Sequence, residues 1–157
     1  MDSTVTIEQT LKNNGSLVYT NVGVSMRPLI REGRDVIQIK SADGEIKKYD
    51  AVLFVRPHIS GRGHYVLHRV LKINKDGTYW IVGDNCTSGE IIDRENIIGV
   101  LTAVVRNGKT LTLDRFSYRM YVAFWCAPYP LRFFLLGIPR FAKRVIGKIR
   151  RTFRGNR

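Results

Sequence analysis

Residues 65–82 read YVLHRVLKI-NKDG-TYWIV, and this stretch decides the class of fold. Tyr65–Ile73 is rich in Val, Leu and Ile, and Thr78–Val82 resumes the apolar run. Between them Asn74-Lys75-Asp76-Gly77 is a cluster of turn formers, so the whole predicts two strands joined by a turn. Alternate residues of a strand share a face, which puts Val66, His68 and Val70 together, opposite Leu67, Arg69 and Leu71. Working outward, the same grammar predicts strands at Ser16–Thr20, Asp35–Lys40, Asp50–Arg56, Ile97–Arg106 and Thr110–Leu113. Ala42-Asp43-Gly44 and Asn107-Gly108 separate some of them, the latter a strong hairpin signal. One short helix stands ahead. Thr6 and Gln9 have capping-box spacing, which predicts a helix from Ile7 to Asn14 with Gly15 just past its end. Many short strands with little helix predict a mostly β, compact, coiled barrel-like domain.

The 157 residues suit one domain with a real core and a short appendage. With 44% apolar and 25% charged residues the chain is globular, not disordered. Its net charge of +13 is unevenly placed. Residues 1–114 carry 15 Lys/Arg against 13 Asp/Glu, whereas residues 115–157 carry 11 Lys/Arg and no acid. The excess belongs to the tail, and a near-neutral body speaks against a non-enzymatic nucleic-acid-binding β domain. Two cysteines, Cys86 and Cys126, make no disulfide framework and fit a reducing compartment at least as well as an oxidising one. Met1 to Gly15 is polar and has no apolar core of signal-peptide length, so neither leader nor membrane anchor is expected ahead of the body.

A boundary is expected near Asp114, with a catalytic domain over 1–114 and a membrane-associating tail over 115–157. Residues 116–139 are aromatic and apolar but broken by Pro128, Pro130, Pro139 and Arg132. That suits the membrane interface better than a spanning helix, although residues 120–139 are long enough to span as a kinked C-terminal anchor. From Arg140, Phe141, Val145, Ile149 and Phe153 recur every four residues among Lys143, Arg144, Lys148, Arg150, Arg151 and Arg154. This predicts a basic amphipathic helix on an anionic membrane, at its cytoplasmic face.

Three segments carry candidate chemistry. Gly23-Val24-Ser25-Met26-Arg27-Pro28 offers a serine in a turn. His68-Arg69-Val70 offers an imidazole on a strand. Val82-Gly83-Asp84-Asn85 offers a carboxylate in a turn after a strand. Each alone has a plain reading, as a loop serine, a strand histidine and a turn. Met26 and Leu29 read more simply as packing beneath the serine loop than as substrate contacts. His58 and His64 flank the loop Ser60-Gly61-Arg62-Gly63, and no metal-ligand spacing joins the three histidines. The sequence implies neither a metal nor another cofactor.

Together, Ser-Met-x-Pro, His-Arg-Val and Gly-Asp-Asn, in that order among short strands, resemble the signal peptidase I clan of serine peptidases, which also holds the SOS-repressor autoproteases. Glu32-Gly33-Arg34-Asp35-Val36-Ile37 resembles the family's Gly-Asp-x-Val strand with Arg34 inserted. Lys48-Tyr49-Asp50-Ala51-Val52-Leu53-Phe54 resembles its Gly-Asp-x-Val-x-Phe strand with Tyr49 in place of glycine. Ile97-Ile98-Gly99-Val100 resembles the closing strand. The resemblance covers roughly residues 8–105. It implies an endopeptidase cleaving leader or signal-like peptides with small residues near the scissile bond. Ser25 would be the nucleophile. His68 stands where common bacterial members carry a lysine base, as in the endoplasmic-reticulum and archaeal branch. An imidazole accepts a serine proton near neutral pH, and a carboxylate stabilises its cation. Asp84 matches the family acid, with Asp93 as the alternative. Gly23 stands where many members have an oxyanion-stabilising serine, which leaves backbone N–H groups, Ser25's own first, to meet the oxyanion; Met26 adjoins them. A self-cleaving regulator of the SOS-repressor type is the other enzymatic reading. It is disfavoured by His68 and by the 24 residues before Ser25, too few for a DNA-binding domain.

Overall fold

The computed structural model describes residues 6–20, 23–56 and 64–131. Among these, eight strands form one antiparallel sheet: β1 (Ser16–Thr20), β2 (Asp35–Ser41), β3 (Ala51–Val55), β4 (Tyr65–Ile73), β5 (Tyr79–Val82), β6 (Gly89–Ile92), β7 (Ile97–Arg106) and β8 (Lys109–Thr112). The order is β1-β2-β7-β3-β4-β5-β6, with β8 also on β7. The chain is mostly β, as the sequence predicts, but the sheet is not closed into a barrel. Closure requires the end strands to pair. Here the end strands are β1 and β6, of five and four residues, and they sit at opposite ends of the path.

α1 (Ile7–Asn14) begins with the expected capping box, in which Gln9 N–H donates to Thr6 Oγ1 at 3.2 Å and Thr6 N–H to Gln9 Oε1 at 3.0 Å. Such a cap is worth about 1 kcal/mol. The Tyr65 hydroxyl donates to Glu8 and ties the helix to β4. Burial, reinforced by that carboxylate, pushes the Tyr65 phenol up to about 12.

Two apolar clusters hold the sheet. One gathers Leu11, Met26, Ile30, Ile37, Leu53 and Leu67. The other gathers Ile46, Val52, Phe54, Val70, Ile81 and Ile97. Consecutive residues of β3 alternate between them, so the clusters lie on opposite faces. Tyr49, just ahead of β3, has φ of +76°. The resemblance puts a glycine at this position, and the backbone keeps the glycine-like conformation even though a tyrosine occupies it.

After β8 the chain enters α2 (Phe116–Tyr121) and then a wide π-type turn over Val122–Cys126, closed by Ala127 N–H to Val122 O at 2.8 Å. The sequence predicts no helix here, only a proline-broken run. Pro128 and Pro130 come after the turn, so the helix forms ahead of them. No helix among the described residues is long and apolar enough to cross a membrane. His58, the loop 60–63 and the basic helix expected from Arg140 lie outside the described residues.

Candidate active site

Ser25 sits in a turn over residues 23–30, closed by Arg27 N–H to Val24 O at 3.2 Å and Ile30 N–H to Met26 O at 2.9 Å. The Arg27–Pro28 peptide is cis. Met26 and Ile30 have no exposed surface, and half-buried Leu29 packs on the same cluster. The Met26 side chain is therefore packed in the core beneath the serine loop. Buried Asp35 gives a second anchor. It accepts from Arg31 N–H at 2.7 Å and pairs with Arg106 at 2.8 and 2.5 Å, while Arg106 also donates to Leu29 O at 2.9 Å. The Arg106 hydrogen bonds hold the Asp35 carboxyl below its usual range. Gly23 has φ of +106°, and its N–H donates to Glu32 Oε1 at 2.8 Å. This amide is engaged by Glu32.

His68 is placed by the pleat. It pairs with Val52 on β3, and its neighbour Arg69 pairs with Val82 on β5. One step beyond Val82, Gly83 faces the His68 side. A Cβ on Gly83 would stand 3.0 Å from His68 Nε2, 2.9 Å from Ser25 O and 2.7 Å from Cys86 Sγ. The missing side chain is thus what lets the serine loop, the imidazole and the Gly83–Cys86 turn converge. Asn85 locks the arrangement, with its N–H on Ser25 O at 2.7 Å and Nδ2 on Val24 O at 3.2 Å.

The imidazole is nine-tenths buried, and among the described residues its Nδ1 has no hydrogen-bond partner. Glu90 Oε1 stands 3.6 Å from Nδ1, a charge contact longer than a hydrogen bond. Glu90 is itself gripped by Arg56, Nε to Oε2 at 2.8 Å and Nη2 to Oε1 at 2.5 Å. Burial lowers the His68 pKa from the ordinary 6.5 most strongly. Glu90 raises it in part, Arg56 lowers it and Asp84 raises it less. The net result is an imidazole that is neutral at neutral pH, with Nδ1 turned to a carboxylate and Nε2 towards the serine loop. Compared with protein-family models, curated proteins and solved structures, the chain matches none.

Glu90 is not among the acids that the sequence motifs single out, because β6 is too short to predict as a strand. The signal is a matter of register. Val70 pairs with Ile81 and Ile81 with Glu90, so Glu90 shares a face with Val70 and, two residues back, with His68. Asp84 follows the same rule to the other face. One step past Gly83, it meets Arg69, the residue behind His68. Both are fully buried and paired at two points, Nε–Oδ1 and Nη2–Oδ2, each 2.7 Å. Tyr121 donates to Asp84 Oδ2 at 2.7 Å, and Arg69 also reaches Tyr49 O and the Tyr118 hydroxyl. Asp84 therefore organises the turn through Arg69 and Tyr121, and its charge raises the His68 pKa less than Glu90 does. Asp93 is exposed at the start of the 3₁₀ turn Arg94–Asn96, beyond the end of β6. His64 lies elsewhere, with Nδ1 at Arg56 O and Nε2 3.9 Å from Glu8. Among the described residues no cluster of His, Cys, Asp and Glu suits a metal ion.

Proposed function

We propose that the protein is a serine endopeptidase of the signal peptidase I kind, acting on leader or signal-like peptides from an anionic membrane surface to which residues 116–157 attach it. The observation that carries the reading is the convergence at Gly83, where the Ser25 loop and the Nε2 edge of a buried, neutral imidazole meet over a position with no side chain. In the reaction, His68 Nε2 takes the Ser25 hydroxyl proton as Oγ attacks the scissile carbonyl. The carbonyl π electrons move to oxygen, and the Ser25 N–H meets the oxyanion. The tetrahedral intermediate collapses, the C–N bond breaks and Nε2 returns the proton to the leaving amine. Water, activated by the same nitrogen, then releases the acyl group. While Nε2 holds the proton the ring is a cation, and Glu90 at Nδ1 offsets its charge. Arg56 keeps Glu90 in place but tempers its field.

The family resemblance supplies the substrate class, peptides with small residues near the cut. Incubation of the purified chain with a leader-peptide library, with cleavage sites read by mass spectrometry, tests it. Cuts after small residues that vanish in Ser25→Ala support the reading. Equal cutting by Ser25→Ala excludes it.

A further inference from the structure

Residues 116–131 form a segment with two unlike faces. Inward, the Tyr121 hydroxyl and Trp125 Nε1 hold Asp84, the latter through its carbonyl at 3.0 Å, and the Tyr129 hydroxyl donates to Thr87 O at 3.0 Å. Cys126 is buried on the same side. Outward, Phe116 is 74% exposed, Met120 37%, Phe124 73% and Leu131 59%. Steps of four, four and seven residues keep these four on one stripe of a helix. Through the π-type turn the same division holds by exposure, with Phe124 outward and Cys126 buried. Two phenylalanines nearly free of protein contact, aligned with a methionine and a leucine, make an apolar surface that calls for a partner.

The surrounding charge says which partner. Arg115 and Arg119 flank the stripe and are exposed, and no acid occurs after Asp114 while 11 Lys/Arg follow it. Apolar side chains bordered by cations, with no carboxylate beyond Asp114, are the chemistry of a helix lying on anionic lipid. The geometry points to the Phe116, Met120, Phe124 and Leu131 face as a docking surface for an anionic bilayer. The inward face joins this surface to the candidate site. Trp125 and Tyr129 hold the backbone of the turn whose Asn85 grips Ser25 O. A bilayer that fixes the helix thereby fixes the turn beside Ser25, so lipid docking raises Ser25 reactivity. The docking surface stands on these contacts and refines the membrane attachment proposed above; its effect on Ser25 rests on the peptidase reading.

The test is flotation of the full chain with phosphatidylglycerol–phosphatidylcholine vesicles, comparing wild type with Phe116→Ser/Phe124→Ser. Both positions are exposed, and circular dichroism checks that the fold is kept. The wild type floats, and the double variant partitions at least about a hundredfold less, roughly tenfold for each phenylalanine removed from lipid. Equal flotation of the double variant overturns the docking surface, and so does alkali-resistant association by either protein, which marks a spanning anchor. Fluorophosphonate labelling of Ser25, with and without the same vesicles, reads the coupling. Faster labelling of wild type on vesicles, with no gain in the double variant, is expected. A floating wild type labelled equally fast on and off vesicles overturns the coupling. Absence of labelling in every condition counts against the peptidase reading, and flotation then decides the docking surface by itself.

Discussion

Asp84→Asn separates a structural acid from a catalytic one. The carboxylate is fully buried, meets Arg69 at two points of 2.7 Å and accepts from Tyr121. Removing its charge leaves the Arg69 guanidinium buried without a counter-charge, and breaking such a pair costs about 3–5 kcal/mol. The lower end applies, because Tyr49 O and the Tyr118 hydroxyl still accept from Arg69 and the asparagine keeps one acceptor oxygen. For a chain of this size each kcal/mol moves Tm by about 2–4 °C, so a fall of roughly 6–12 °C follows. Unfolding followed by tryptophan fluorescence is well placed, since Trp125 bonds to the Asp84 carbonyl. Glu90→Gln is the contrast. Its pair with Arg56 is partly solvent-exposed, so the change costs at most about 1 kcal/mol, while activity falls because Glu90 faces the imidazole. An Asp84→Asn protein that melts with wild type and loses activity through a displaced pH profile would refute the structural assignment.

Further expectations follow from the same contacts. His68 has a lowered pKa in the fold, so the neutral base persists below pH 6.5 and the acid limb of kcat/KM lies under that value. By the same sign, its contribution to stability is complete above pH 6.5 and is lost as pH falls through the folded pKa. Glu90→Gln removes a raising influence and moves the acid limb lower, whereas Arg56→Ala removes a lowering one and moves it higher; identical profiles would exclude the Glu90 role. Gly83→Ala forces a Cβ to within 3.0 Å of three neighbours, one of them the Ser25 carbonyl. It costs about 1–3 kcal/mol in denaturant unfolding and most of the activity. Tyr49→Gly relieves a left-handed tyrosine and leaves the protein as stable as wild type or up to about 1 kcal/mol more so by the same assay, where a tyrosine-to-glycine change elsewhere would destabilise.

Most of the sheet was legible because its strands are long or strongly alternating. Tyr65–Ile73 and Ile97–Arg106 appear with the bounds read from the sequence. β6 was not legible, because Gly89-Glu90-Ile91-Ile92 is four residues beginning with a glycine, and only its pairing with β5 makes it a strand. That omission hid Glu90. The candidate serine and histidine stand out in local motifs, but the placing of Glu90 opposite His68 depends on register across β4, β5 and β6, which single segments do not encode. The Asp84–Arg69 pair follows from the pleat once Val82 is known to lie opposite Arg69. α2 is not legible because prolines further along the run mask a helix held by tertiary bonds from Tyr121 to Asp84 and from Arg69 to Tyr118.

The most direct test of the Ser25–His68 assignment is the pH dependence of covalent labelling by a fluorophosphonate, with the modified residue located by peptide mass spectrometry. The predicted result is a single adduct on Ser25, forming at a rate that follows one ionisation below pH 6.5 and falls by orders of magnitude in His68→Ala. An adduct on another serine, or a Ser25 rate indifferent to the loss of His68, would contradict the assignment.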